Sequence, residues 1–208
     1  MTGGLLAFAL TSFIIELTPG PNMAYLATLS IARGFRAGIA AVLGITLGLA
    51  IYGVAAAFGV AALIDRSPVL YETLRWAGVV YLLWLAWAGW ASESETSPAQ
   101  AKSLDEAPWI AFRRGLITNL LNPKAAIFYV ATLPRFVSPG AGDVIQQTLL
   151  LSAVYVAIAS IVHFGIVLLS GKLASAVETP DARRRMRRIL ALTLVVIAGW
   201  FALSTSRG

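Results

Sequence analysis

The chain is a series of long apolar runs separated by short polar punctuation. Uncharged stretches extend from Ala37 to Ile64, Trp76 to Ser92, Val144 to Gly171 and Ile189 to Ser206, each near or above the roughly 18 residues that a membrane-crossing helix needs. Two further runs are long enough to cross but are interrupted. Leu5 to Ala32 carries Glu16 and the sequence Pro19-Gly20-Pro21-Asn22, while Gly115 to Phe136 carries Pro123, Lys124 and Arg135. The pattern predicts an all-α membrane protein with six transmembrane helices, of which helices 1 and 4 are broken at proline motifs.

The two breaks are related to each other. Pro19 and Pro123 lie 104 positions apart in a chain of 208, and at that offset Leu17/Leu121, Tyr25/Tyr129, Ala27/Ala131, Thr28/Thr132, Leu29/Leu133, Ala37/Ala141 and Gly38/Gly142 are also identical. This predicts an internal duplication. Three helices per half is an odd number, so the duplicates must sit in the membrane with opposite orientation. The expected organisation is a first three-helix repeat over 1–91, a cytoplasmic linker over 92–110 rich in Ser, Glu, Ala and Pro, and a second three-helix repeat over 111–208. Interrupted helices at corresponding places in two halves point to a transport site.

Composition agrees with this reading. The chain is 58% hydrophobic and 12% charged, about half the charge of an ordinary soluble domain, so its apolar surface must face lipid. A net charge of +6 would suit nucleic acid, but the charges are sorted by loop. Loops one, three and five hold eleven of the sixteen Lys and Arg residues, from Arg33 and Arg36 to the Arg183–Arg188 cluster. The positive-inside rule then puts the odd loops in the cytoplasm and both termini outside the inner membrane. The basic surplus reports topology and gives no support to nucleic-acid binding. The opening Met-Thr-Gly-Gly lacks the basic flank of a secretory signal, so the first run is expected to be a retained helix. Cysteine is absent, which excludes disulfides, thiol redox chemistry and zinc-thiolate sites. Gly44 and Gly48 form a small-residue ridge suited to close helix packing, and the tryptophans from Trp76 to Trp90 suit anchoring at the headgroup level.

Three ionisable side chains fall near the middle of the spans: Glu16, Lys124 and His163. Each costs about 2.5 to 3.5 kcal/mol on insertion scales and is seldom present without a role. At about 1.5 Å per residue, Glu16 lies roughly 18 Å beyond Gly4 and Lys124 roughly 14 Å beyond Gly115, near the middle of the bilayer core. Both lie within three residues of equivalent breaks, which a pseudo-two-fold axis brings face to face. They either neutralise each other, or Lys124 receives a substrate carboxylate and Glu16 an ammonium group or a proton. Proline frees the carbonyls around Ile15 to Thr18 and near Asn119, and those groups must find water, side chains or substrate. Where the helices restart, near Asn22 and near Ala125, free N–H groups favour an anion. Asn22 and Asn122 either cap the restarts or bridge the freed groups. His163 is the single histidine, suited either to packing or to proton coupling. No ligand cluster with metal spacing and no hydrolase motif occurs, so neither an enzyme nor a cofactor is expected.

The residues carry a family resemblance. Leu17-Thr18-Pro19-Gly20-Pro21-Asn22-Met23, Ala32-Arg33-Gly34-Phe35-Arg36-Ala37-Gly38 and Leu43-Gly44-Ile45-Thr46-Leu47-Gly48 resemble the opening of the lysine-exporter (LysE) family, which includes the homoserine and threonine exporters (RhtB). Asn119-Leu120-Leu121-Asn122-Pro123-Lys124-Ala125 with Leu133-Pro134-Arg135-Phe136-Val137, and Trp76 to Leu85, are similar to its fourth and third spans. The resemblance implies an inner-membrane exporter of amino acids or close derivatives, threonine-like, homoserine-like or otherwise small, driven by proton antiport. Its motif residues fall on Pro19, Gly20, Pro21, Asn22, Asn122, Pro123 and Lys124, which with Glu16 form the expected substrate site. Several members have an acidic residue in the fifth span where this chain offers His163, which makes His163, with Glu16, the candidate for proton coupling. The partners implied are an amino acid, protons and the lipid bilayer, and homo-oligomerisation is left open. Two other readings keep the same sequence facts: an inorganic cation exporter on the same fold, and a non-transporting membrane scaffold.

Overall fold

The computed structural model describes residues 2–18, 20–59, 67–91, 108–138, 142–175 and 180–204, and these are helical with no strand among them. Helix α1 covers Thr2–Leu17, α2 Pro21–Arg33, α3 Phe35–Ala57, α4 Pro68–Ala91, α5 Pro108–Leu120, α6 Pro123–Ile127, α7 Val144–Ser175 and α8 Pro180–Ser204. After α6 the same segment continues as a π turn over Phe128–Thr132 and a 3-10 turn over Leu133–Phe136. Pro108–Ile110, expected in the linker, already form the first turn of α5. Pro19 and the remainder of the expected linker lie outside the described residues.

Among the described residues, two helices are long and apolar enough to cross a bilayer unaided, α3 and the Val144–Ser170 part of α7, and α1 with α2 qualifies as one span bent by 56°. Helix α4 contributes a shorter apolar stretch, Trp76–Trp87. The sorting of side chains is that of a protein in lipid. Leu6, Ile14, Val69, Val80, Ile161, Leu169, Val196 and Leu203 are exposed, whereas Ser12, Glu16, Asn22, Thr118, Asn119, Asn122 and His163 are buried. Apolar surface turned outward has no cost in hydrocarbon, and polar groups must find partners inside.

Glycine sets the closest helix contact. A Cβ at Gly44 would fall on the Phe112 carbonyl and one at Gly115 on the Ala41 carbonyl, so α3 and α5 touch backbone to backbone. A Cβ at Gly48 would strike the Asn119 side chain. The small-residue ridge read from the sequence thus serves packing. Gly34 joins α2 to α3 at φ 84°, a left-handed conformation that glycine adopts without steric cost.

Helix α7 runs through the centre, packed against α1, α2 and α3. Its buried residues Thr148, Ser152, Tyr155, Ala159, His163, Val167 and Ser170 recur every three or four positions and form one inward stripe. Thr46 on α3 and Ser160 on α7 share a 2.8 Å hydrogen bond. This stripe faces the broken helices and carries two of the polar side chains of the site.

Candidate functional site

The first break places a carbonyl in reach of the second. Beyond Leu17 the chain leaves the helix, Thr18 N–H turning back to the Ile15 carbonyl at 3.1 Å. Helix α2 restarts at Pro21 with Gly20 in extended conformation and no side-chain cap. The Thr18 carbonyl accepts instead from Lys124 Nζ at 2.7 Å. The partner that sequence reasoning placed opposite Lys124 was Glu16. The ammonium goes to a backbone carbonyl freed by the break, two residues further on.

The second break is closed by side chains. Asn122 caps α6, its Oδ1 accepting from Lys124 N–H at 3.0 Å, so Lys124 N–H leaves the Leu120 carbonyl that a continuous helix would give it. That carbonyl accepts from Tyr52 OH at 2.8 Å, and Tyr129 OH donates to the Leu49 carbonyl at 2.8 Å. Of the two expected readings of Asn122, the structure gives the cap. Asn22 differs: it sits within the first turn of α2, 6% exposed, and its Oδ1 has no hydrogen-bond partner among the described residues. The helices restart at Pro21 and Pro123, one or two residues before the expected points, because proline is well suited to the first helical position.

Glu16 is 4% exposed and both its oxygens face α7. Tyr155 OH donates to Oε1 at 2.5 Å, and His163 Nε2 stands 3.4 Å from Oε2. Tyr155 is fixed in turn by stacking on Phe128, with ring centroids 3.6 Å apart and planes 14° from parallel, and by an edge contact with Tyr129. His163 is 1% exposed, and neither of its ring nitrogens makes a hydrogen bond among the described residues.

These groups meet in one place. Glu16, Gly20, Asn22, Asn122, Lys124 and His163 line a single cavity, together with Met23, Ala125 and Tyr155. The space holds about 10 Å³ of centres for water-sized spheres, enough for roughly one water. Pro21 is buried beside it at the start of α2, while the Pro123 side chain and Pro19 are outside what is described. A carboxylate, an imidazole, an ammonium group, an uncapped helix start and unpaired amide oxygen together suit a small zwitterion better than any apolar ligand.

The comparisons with known proteins bear on the same segments. Residues 13–205 match the family model described as LysE type translocator. The chain belongs to the LysE-type translocator family. Members of the family are membrane transport proteins, in agreement with the resemblance read from the two proline motifs. A homoserine/homoserine lactone efflux protein of Salmonella typhimurium is 28% identical over 199 residues, covering 94% of each chain. A leucine efflux protein of Klebsiella pneumoniae is 33% identical over 136 residues, covering 65% of this chain and 64% of the relative. An uncharacterized membrane protein of Vibrio cholerae is 30% identical over 185 residues, covering 88% of this chain and 89% of the relative. No solved structure gives a significant match.

Within this LysE-family chain, sequence reasoning missed Tyr155, Met23 and Ala125. A signal for Tyr155 was present: it lies eight residues before His163, a little over two helical turns, so the two share a face of α7. Tyrosine in a lipid-facing helix is usually read as an interfacial anchor, which conceals it. Met23 and Ala125 stood within the two proline motifs, Ala125 at the expected helix restart, but as apolar side chains they were not singled out as site residues.

Proposed function

We propose that this chain is a secondary exporter of amino acids or close derivatives, working by proton antiport across the inner membrane. The observation that carries the reading is the convergence of Glu16, Lys124 and His163 on one small cavity where the two broken helices meet. In this reading a substrate carboxylate is held by Lys124 and the uncapped start of α2, and its ammonium by Glu16 and the freed Thr18 carbonyl. Gly20 and Pro21, at the uncapped start of α2, leave backbone groups open for that exchange, and Asn22 offers an unpaired oxygen to it; the motif positions Pro19 and Pro123 are assigned to the same site. Glu16 and His163, within 3.4 Å of each other, carry the exchanged proton. The relatives' names supply the cargo class: homoserine, its lactone and leucine share an α-amino group.

The architecture proposed is six spans in two inverted repeats, with loops one, three and five cytoplasmic. Contacts between elements support it. If α1 corresponds to α5, α2 to α6, α3 to α7 and α4 to α8, the packing of α3 on α5 is matched by α7 on α1, and the pairs α3 with α7 and α4 with α8 map onto themselves. A cavity of one-water size is then a closed state, and rocking of one repeat against the other opens it to either side.

Efflux after loading cells with hydrolysable dipeptides tests the function. Threonine, homoserine, leucine and other small amino acids are expected to leave faster with the protein than without it. If none of a broad panel does so, and resistance to a panel of metal salts rises instead, the cargo is an inorganic cation. If neither changes, the chain is a scaffold.

A further inference from the structure

Lys124 is the unusual member of the site, because the hydrogen bond its ammonium makes among the described residues is to a backbone carbonyl. Nζ donates to Thr18 O at 2.7 Å, while Glu16, two residues away along the chain, accepts from Tyr155 and faces His163. The lysine stem lies along Gly20, where an added Cβ would come within 3.3 Å of Lys124 Cδ and 3.8 Å of Nζ. An ammonium carries three donors, and a carbonyl takes one of them. The side chain therefore reaches from the second break to the first and fills the space where a free ammonium group would meet the same carbonyl. What remains of the cavity holds about one water, so no amino acid enters while Lys124 lies there.

We infer that Lys124 is a tethered stand-in for the substrate. In the closed form its ammonium occupies the α-ammonium subsite at the Thr18 carbonyl, and an amino acid loads by drawing Lys124 onto its carboxylate while its own ammonium takes the vacated carbonyl. This rests on the exporter reading and deepens it, since it fixes which end of a zwitterion goes where and why both ends are required. It also joins loading to opening. The Lys124–Thr18 contact ties the two breaks together, and the event that seats the substrate releases the tie. A carrier with neither substrate nor proton keeps it, which blocks uncoupled leakage.

The consequence is a discrimination between amino acids and their decarboxylated counterparts. An amine without a carboxylate has to evict Lys124 and leaves that ammonium with no acceptor. Binding to the purified full-length protein in detergent, measured by titration calorimetry, is the test, with leucine and isoamylamine as one pair and homoserine and propanolamine as another. In the wild type the amine of a bound pair should be about tenfold or more weaker than its amino acid, as expected for loss of a hydrogen bond to a charged group. In K124M the order should reverse, the amine gaining about tenfold over its wild-type affinity and the amino acid losing at least as much. G20A supplies a second route, because its Cβ presses on the lysine stem with the charge kept; it too should favour the amine, even if K124M fails to remain monodisperse. Equal affinity of amine and amino acid for the wild type, or amine binding unchanged in G20A, overturns the inference and leaves the exporter reading standing. If the wild type binds neither leucine nor homoserine and exports neither, the exporter reading falls and takes the inference with it.

Discussion

Tyr155 and Glu16, 139 residues apart in the chain, are joined by a 2.5 Å hydrogen bond from phenol to carboxylate at the centre of the molecule. The bond ties the end of α1 to the middle of α7, and α7 brings His163 to the other carboxylate oxygen. One acidic side chain of α1 is thereby placed between two groups of α7. A hydrogen bond to a charged group contributes about 1.5–3 kcal/mol. Y155F removes the donor and keeps the stacking on Phe128. Efflux should fall about tenfold with little change in the amount of folded protein, the measure being initial efflux rate per molecule quantified in the membrane. A fall in protein level that accounts for the whole loss would make Tyr155 a packing residue.

E16Q asks more of the same place. Glutamine keeps the volume and can still accept from Tyr155, but it holds no charge and takes no proton near neutrality. Net efflux should drop to background while monodisperse protein is recovered in normal yield. Retention of more than about a tenth of the wild-type rate, a deficit of only ~1.4 kcal/mol, would remove Glu16 from the transport step.

Asn22 and Asn122 look equivalent in sequence, each beside a proline break, yet they are predicted to fail in different ways. Asn122 is a helix cap through Lys124 N–H, and N122A should cost about 0.5–2 kcal/mol of stability, read as a lowered thermal midpoint in detergent. Asn22 Oδ1 bonds to nothing among the described residues and lines the cavity. N22A should leave the midpoint within a degree or two, by the rule that losing about 1 kcal/mol moves it by several degrees, and should raise the substrate concentration needed for half-maximal efflux. The opposite pairing of effects would exchange the two roles.

Much of this was legible before any coordinates. The apolar runs, the paired prolines and the three ionisable residues near the middle of the spans marked both the fold class and the neighbourhood of the site. Distances across the site were not legible, because they depend on how α7 is rotated about its axis. That rotation is set by a stripe of small, polar and aromatic residues from Thr148 to Ser170 whose period only becomes informative once it is known which faces carry lipid. Lys124 was read toward Glu16 for a related reason. Charge complementarity favours that pair, but the Thr18 carbonyl just beyond α1 accepts from the ammonium, and the carboxylate accepts from Tyr155 and faces His163. Tyr52 was invisible for the same reason: its role is to satisfy the Leu120 carbonyl, which exists as an orphan only because Asn122 has taken Lys124 N–H.

The contact between α3 and α5 gives a prediction about stability alone. A Cβ at Gly44 or Gly115 would overlap a backbone carbonyl that cannot rotate away, so G44A and G115A should each cost about 1–3 kcal/mol or more. At Gly165 and Gly199, also in helices, an added Cβ meets nothing within 4 Å; G165A and G199A should be neutral or stabilising by up to about 1 kcal/mol through higher helix propensity. Thermal unfolding of the four variants in one detergent checks the contrast. Similar midpoints for all four would mean that the two helices are not in backbone contact.

His163 carries the last prediction, because it separates binding from coupling. Its Nε2 stands 3.4 Å from a Glu16 oxygen, and neither ring nitrogen makes a hydrogen bond among the described residues, so the ring has a site beside the carboxylate at which to take or give a proton. Asparagine keeps a polar group near the carboxylate and cannot take a proton. H163N should therefore still exchange labelled for unlabelled substrate across proteoliposomes, since exchange needs binding and movement without net proton flow. It should lose the acceleration of net efflux by an imposed proton gradient. If H163N keeps its full response to the gradient, His163 is a packing residue and Glu16 alone handles the proton. If exchange and gradient response are lost together, the imidazole holds the substrate site in shape, and coupling has to be sought at Glu16 by the same pair of measurements on E16Q.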